Sequence, residues 1–350
     1  MLTSQSVSLL LLSEFEKGCR NGARGETDRM DTLAVVLQEP ENIDLRRVDL
    51  TPPGDDDVVV DVAWSGISTG TEKLLWSGRM PTFPGMGYPL VPGYESVGRI
   101  ASVGTNAARE TDRRVGELVF VPGARCFGSV RGLFGGAAKR LIVGGRKVVP
   151  LSESLGEQGV LLALAGTAFH ALAPNGADGE LALPDLIVGH GVLGRLIARI
   201  AVATGATPPT VWEVNKLRCG GAAGYSVVDP AEDTRRDYRR ILDVSGDAGL
   251  LDTLIGRLAP GGEIVLAGFY SAPIQFAFAP AFMREARLRI AAEWREGDMA
   301  QVKKLLAEGR LSLEGLITHR SAAASASSAY RTAFDDSTCL KMILDWSATA

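Results

Sequence analysis

The sequence predicts an α/β protein of two domains: a mostly β, barrel-like domain over 30–155, then a doubly wound parallel-sheet domain over 156–294. Two observations separate them. Residues 30–155 hold short β-prone runs (TLAVVL, DVVVDVAW, VGRIASVG, ELVFVPG, AKRLIVGGRKVVPL) punctuated by Gly/Pro turns, a spacing that suits a β domain better than βαβ units. From about 183 the texture changes to buried strand, Gly-rich turn and amphipathic helix in alternation, which reads as a parallel sheet covered on both faces. A chain of 350 residues with 46% hydrophobic content has the length and apolar surface for two such cores.

Residues 1–29 carry an apolar run within 7–16 that closes at Glu14 and Glu16, with no preceding positive charge and no small-residue cleavage site. It does not read as a secretory leader, and 1–29 is expected to be an unstructured extension, with Met30 the working initiator. The first strand pattern is MDTLAVVL (30–37). The Ala- and Leu-rich stretch 155–174 has the length of a helix. DLIVGHGVLGRLIARIAVATG follows as strand, turn and helix, and TVWEV, YSVVD, RILDVSG, GEIVLAGFY and RLRIAAEW supply further strands. After 295 come a helix at DMAQVKKLLAEG, a strand-like LEGLITHR, a helix through Tyr330 and Phe334 that takes in the Ala-rich 321–329, and a final CLKMILDW.

Composition removes several function classes. A formal net charge of −4 lacks the basic excess of a nucleic-acid binder. Cys19, Cys126, Cys219 and Cys339 form no Cys-x-x-Cys pair, so neither a disulfide framework nor a cysteine zinc cluster is expected, and a reducing cytoplasm is. No apolar run is long enough for a membrane span, the best one being broken by His190, Arg195 and Arg199.

The strongest motif is Gly189-His190-Gly191-Val192-Leu193-Gly194, placed directly after a strand and opening a helix. The first Gly permits a tight turn, the second lets backbone approach a pyrophosphate, and the third allows close helix packing, while the helix N-terminus stabilises negative charge. Glu213, 24 residues beyond Gly189, ends the next strand, where a carboxylate accepts hydrogen bonds from ribose hydroxyls and repels a 2′-phosphate. NAD is therefore the expected cofactor, though Lys216 and Arg218 follow closely enough to soften that repulsion. His190 reads as a turn residue beside the phosphates, and Thr167 on the preceding helix completes the cofactor set.

From 30 to 350 the chain resembles the medium-chain dehydrogenase/reductase superfamily. That resemblance implies a GroES-like β-barrel domain, a Rossmann domain and a return of 295–350 to the first domain. Zinc members carry Gly-Ile-Cys-Gly and Gly-His-Glu in the first domain. This sequence keeps both frames but reads Gly66-Ile67-Ser68-Thr69 and Gly93-Tyr94-Glu95, and the third ligand position falls on Ala163. Ser, Tyr and Ala make a poor zinc set, and Cys126 alone lies where a four-cysteine structural lobe would be, so no metal is expected. Within the superfamily the chain resembles the bacteriochlorophyllide a dehydrogenase family, through 65–95, GLFGGAA (132–138), LPDLIVGHGVLGRL (183–196), LAPGGEIVLAGFY (258–270), FMREARLRIAAEW (282–294) and CLKMILDW (339–346). The resemblance implies NAD-dependent oxidation of the 3-(1-hydroxyethyl) group of a chlorophyllide-type ring to 3-acetyl. By analogy it also suggests a homodimer paired through CLKMILDW or an edge strand of the Rossmann sheet.

Without zinc, another group must take the alcohol's proton. Tyr94 is the first candidate base; its phenol would have to fall from about 10 toward neutrality, with Lys73 and the nicotinamide as sources of positive charge. Ser68, Thr69 and Thr71 are the alternative, orienting the alcohol or relaying its proton, and Glu95 is either an acceptor or half of a salt bridge. His170 and His319 read as packing residues. A broad apolar substrate calls for a wide pocket, to which Trp76, Met80, Phe83, Met86 and Tyr88 are assigned, with Phe269 and Tyr270 flanking from the Rossmann side. Arg79, Arg125 and Arg131 are all available to a substrate carboxylate. Two other classes remain open: a zinc-free quinone or enone reductase, and a non-catalytic pigment-binding protein.

Overall fold

A computed structural model describes residues 30–82 and 85–348; the 1–29 extension and Phe83 of the expected pocket lie outside them. The first domain runs β1 (Asp31–Glu39), β2 (Asn42–Asp49), β3 (Asp57–Ile67), helix α1 (Thr71–Trp76), β4 (Leu90–Val91), β5 (Ser96–Val103), α2 (Thr105–Thr111), β6 (Leu118–Val121), β7 (Arg131–Gly132), β8 (Arg140–Gly144) and β9 (Val149–Pro150). Helix α3 (Leu162–Leu172) leads into β10 (Leu186–Val188), α4 (Val192–Ala203), β11 (Thr210–Trp212), β12 (Ser226–Val228), β13 (Tyr238–Asp243), α5 (Leu251–Arg257), β14 (Leu258–Leu266), α6 (Phe278–Met283) and β15 (Arg287–Ile290). The chain finishes with α7 (Glu296–Ala307), β16 (His319–Ala322), α8 (Ala326–Asp335) and β17 (Met342–Asp345).

β3 is the longest strand and organises the first domain. One edge pairs with β5; the other is shared end to end by β8 along Asp57–Asp61 and by β17 along Trp64–Ile67. The sheet order is β16-β17-β3-β5-β6-β9, and a four-stranded sheet, β2-β1-β4-β7, packs with it around a core that includes Val58, Val60, Ile67, Leu90 and Trp346. The six strands β12-β11-β10-β13-β14-β15 are all parallel. Their centre is fully buried, as Leu186, Ile187 and Val188 in β10 show, which is why the strand reads as an unbroken apolar run. A second core joins the domains: Val97, Leu118, Phe120 and Ile343 from the first pack in one cluster with α3, α4 and the inner face of the parallel sheet.

Two stretches differ from the sequence reading. The helix expected over 155–174 is a 3-10 segment over Glu153–Leu161, interrupted where Gly156 takes φ 46°, ψ −129°, and only then α3. In LEGLITHR only His319 and Arg320 are strand, because a turn at Gly315 (φ 73°) precedes them. Helix α7 packs on α3, where His170 Nδ1 lies 2.9 Å from the buried Asp298 Oδ2, an oxygen that also caps α7 by accepting from Arg295 N. His170 is thus committed to that helix pair.

Candidate active site

The Gly-rich turn sits between β10 and α4 at the carboxyl end of the parallel sheet. Gly189 takes φ 104°, and a Cβ at Gly194 would run into the Gly189 carbonyl, so both positions need glycine for the turn and helix to close on each other. Around Gly191 a Cβ would meet nothing within 4 Å, and no side chain caps the first turn of α4, leaving its backbone N–H groups for an anion. Val192 is buried, Leu193 half-buried. Glu213 is held from both sides: Oε2 accepts from His190 N (3.1 Å) and Oε1 from Asn215 N (2.8 Å). These residues fit a dinucleotide, with room for phosphates at the turn and a fixed carboxylate beside it.

His190 is fully buried under this turn. Its Nδ1 lies 2.7 Å from the Arg218 carbonyl, an acceptor, so Nδ1 carries the proton and Nε2 accepts from Tyr225 OH at 2.8 Å. Burial pushes its pKa down to about 4, with Arg195 adding to the effect, so the imidazole is a neutral strut. Arg218 is itself occupied, its Nε donating to the Ser337 carbonyl at 2.7 Å. Thr167 uses its hydroxyl on the Ala163 carbonyl one turn earlier (3.0 Å).

In the frame where a zinc enzyme holds its metal, hydroxyls and a buried charge cluster stand instead. Tyr94 OH donates to Ser68 Oγ at 2.7 Å, and the Tyr94 ring meets Phe134 edge-on, centroids 5.3 Å apart. Burial raises the Tyr94 phenol, the Glu95 and Glu72 charges raise it further, and hydrogen bonds with Ser68 and Thr71 counter only in part. The lowering expected from Lys73 is absent, because α1 turns that side chain away and its Nζ donates to the Phe334 carbonyl at 2.5 Å. Burial and the neighbouring carboxylates thus favour the neutral Tyr94 hydroxyl. Thr69, half-buried on the same turn, makes no side-chain hydrogen bond among the described residues.

Glu95 is completely buried, and both its oxygens are bound by Lys341 Nζ, at 2.9 and 2.6 Å, while that ammonium also donates to the Ile67 carbonyl. It is the salt-bridge alternative, not a free acceptor. Glu72 lies close by, 1% exposed, with Oε1 accepting from Ser68 N (3.0 Å) and Oε2 from Tyr330 OH (2.8 Å). Burial first, then the Glu95 charge, lift its pKa to about 7. Sequence reasoning missed Glu72, Lys341 and Tyr330. The available signal was two carboxylates, Glu72 and Glu95, each close in sequence to Ser68 or Tyr94, which together call for a cation. Ala163 is buried and has no donor atom, and among the described residues no group of three His, Cys, Asp or Glu side chains is placed to hold a metal ion.

Most of the expected pocket residues pack inward. Met80 is buried, Trp76 stacks on Phe334 with centroids 5.5 Å apart, Met86 packs on the first-domain core, and Tyr88 OH donates to the Leu75 carbonyl at 2.5 Å. Apolar side chains on a short Gly/Pro loop collapse onto the core beneath them when it offers surface. Phe269 remains 46% exposed beyond β14, and Tyr270 OH donates to the Asp243 carbonyl at the end of β13 (3.1 Å), both at the carboxyl end of the parallel sheet. A cavity of about 550 Å³ opens elsewhere: its lining includes Gly123, Arg125, Phe134 and Lys147 from the first domain and Glu293 from the loop after β15.

Residues 54–153 match the alcohol dehydrogenase GroES-like domain. The chain is 58% identical over 318 residues to 2-desacetyl-2-hydroxyethyl bacteriochlorophyllide A dehydrogenase of Rhodobacter capsulatus, covering 91% of this chain and 99% of that protein. The chain belongs to that dehydrogenase family. The Cereibacter sphaeroides protein of the same name is 55% identical and is covered to 100% of its length, with 92% of this chain aligned. L-Idonate 5-dehydrogenase of Escherichia coli shares the fold at TM-score 0.76 and 19% identity, over 91% of this chain and 99% of that one. The family is thus one of medium-chain alcohol dehydrogenase architecture, a GroES-like domain beside a Rossmann-like parallel sheet. Among the described residues no helix is long and apolar enough to cross a membrane.

Proposed function

We propose that the chain oxidises the 3-(1-hydroxyethyl) group of a bacteriochlorophyllide-type tetrapyrrole to the 3-acetyl group, using NAD and no metal ion. Family membership at 58% identity over nearly the whole length carries the substrate and reaction. A dehydrogenase of this architecture uses a nicotinamide cofactor, which supplies the hydride acceptor when bound. Gly189, Gly191 and Gly194 would hold its pyrophosphate at the start of α4, and Glu213 its adenosine ribose. The preference for NAD over NADP is supported by the fixed Glu213 carboxylate and by the engagement of Arg218 with Ser337, which leaves that guanidinium's Nε committed away from a 2′-phosphate.

The observation that carries the metal-free reading is the replacement of a ligand set by the Tyr94–Ser68 hydroxyl pair at 2.7 Å, beside carboxylates already committed to other partners. In this reading the alcohol hydrogen-bonds to that pair, and its proton leaves through the linked hydroxyls of Ser68, Tyr94 and Thr71 to water as the carbonyl forms. Thr69 lines the same turn. The buried Lys341–Glu95 pair and Glu72 fix the positions of Ser68 and Tyr94 rather than touching the reacting atoms.

The test is turnover of a 3-(1-hydroxyethyl) chlorophyllide by metal-analysed protein with NAD⁺ and, separately, NADP⁺. The expected result is stoichiometric NADH and acetyl pigment, a preference for NAD⁺, and a kcat reduced about a hundredfold by Tyr94→Phe. Stoichiometric zinc in the active preparation would refute the metal-free part, and NAD⁺ binding without turnover would refute the substrate.

The reading extends to a homodimer. β15 ends the parallel sheet with one hydrogen-bonding edge open and with Ile290 on it 70% exposed, and the preceding α6 exposes Phe278, Phe282 and Met283, apolar surface that a second copy would cover. The described cysteines are free thiols, in keeping with a cytoplasmic place of action.

A further inference from the structure

Three arginines are available by sequence to meet a substrate carboxylate, and the structure separates them. Arg79 Nε donates to Ser77 Oγ at 3.0 Å, outside the 550 Å³ cavity. Arg131 donates to the Tyr88 carbonyl at 3.2 Å and lies against Gly87. Arg125 makes no hydrogen bond or ion pair among the described residues, and it lines the cavity. So does Lys147, whose ammonium likewise has no partner among them.

One residue of the cavity wall, Phe134, connects it to the hydroxyl pair, its ring meeting Tyr94 edge-on. Its two acidic lining residues differ in availability: Asp57 is engaged by Gly54 N at 2.8 Å, while Glu293 enters from the cofactor domain. A flat macrocycle placed by apolar contact alone has several nearly equivalent orientations. One carboxylate arm tied to a guanidinium that no other group engages removes that ambiguity, and an acidic group on the cofactor-domain side disfavours the reversed placement.

We infer that Arg125, supported by Lys147, binds the carboxylate side arm of the tetrapyrrole and so selects which edge of the ring is presented to Tyr94 and Ser68. This rests on the tetrapyrrole reading given above and assigns Arg125 a specificity role within it.

The experiment compares the free-acid 3-(1-hydroxyethyl) chlorophyllide with its methyl ester, in the wild type and in Arg125→Gln. In the wild type the ester's KM is expected to exceed the acid's by about tenfold, the effect of one charge-assisted hydrogen-bonded pair. In Arg125→Gln that ratio falls to about one, and Arg125→Lys restores part of it. Rising salt should raise the acid's KM in the wild type and leave the ester's in place. A wild type that oxidises acid and ester with the same KM overturns this inference and leaves the function standing. The same holds if Arg125→Gln raises both KM values equally, since the residue then only shapes the cavity. Turnover of neither pigment removes the function and this inference together.

Discussion

Glu72→Gln isolates the electrical cost of the buried charge cluster beside Ser68 and Tyr94. The substitution keeps both hydrogen bonds: the amide oxygen accepts from Ser68 N, and the amide nitrogen donates to the Tyr330 oxygen. What it removes is ionisation. In the wild type the folded protein holds the Glu72 proton up to about pH 7, whereas the unfolded chain releases it near 4.5. Between those values the native state binds more protons, so this group's contribution to stability is intact below pH 4.5 and is lost as pH rises through about 7. At 1.36 kcal/mol per pH unit the loss is about 3 kcal/mol. Gln has no such dependence. The stability of Glu72→Gln minus that of wild type should therefore climb by about 3 kcal/mol from pH 4.5 to about pH 8, while Glu95, Lys341, Tyr94 and Tyr330, present in both proteins, largely cancel. Urea unfolding at steps across this range, with midpoint and slope read at each pH, measures the difference. Parallel stability curves would refute the argument, because they would mean that Glu72 is ionised in the folded protein throughout.

Three further substitutions probe the buried ion pair and the sheet edge. Lys341→Met should cost about 3–5 kcal/mol in urea unfolding, since it leaves the wholly buried Glu95 without its cation, and Lys341→Met combined with Glu95→Gln should recover most of that. A loss below about 1 kcal/mol would show that the pair does not balance the site. Ile290→Arg should convert the proposed dimer to monomer in sedimentation at micromolar concentration without changing the circular dichroism, because it places charge at the carboxyl end of the exposed edge strand; a dimer that persists would place the interface elsewhere.

The legibility of the molecule follows the range of its interactions. The dinucleotide turn could be read directly, since Gly189, Gly191, Gly194 and Glu213 obey local rules of turn, helix entry and strand end. The residue types at Ser68, Tyr94 and Ala163 were equally plain, because they are read position by position. The charge cluster could not be read. Lys341 lies in CLKMILDW, where a lysine in a short strand ordinarily faces water, and it becomes buried only because β17 docks beside β3 and turns it toward Glu95. Lys73 was the natural choice by proximity in sequence, yet one helical step along α1 sends it to Phe334 and brings Glu72 into the site instead. Trp76, Met80 and Tyr88 read as a binding surface in the sequence, whereas the structure packs them against the first-domain core.

The partnership between Glu95 and Lys341 spans 246 residues, with the whole parallel sheet made in between. During synthesis a domain ordinarily closes soon after its last residue emerges, and early domains close first. Here that order is unavailable. Until β17 arrives, β3 has one edge unpaired along Trp64–Ile67, and any compact form of the first 155 residues must carry Glu95 without its counter-ion. The cofactor domain can finish while the earlier one waits, so the part of the chain made first is the last to become native, and the site it contains is assembled in a single late step.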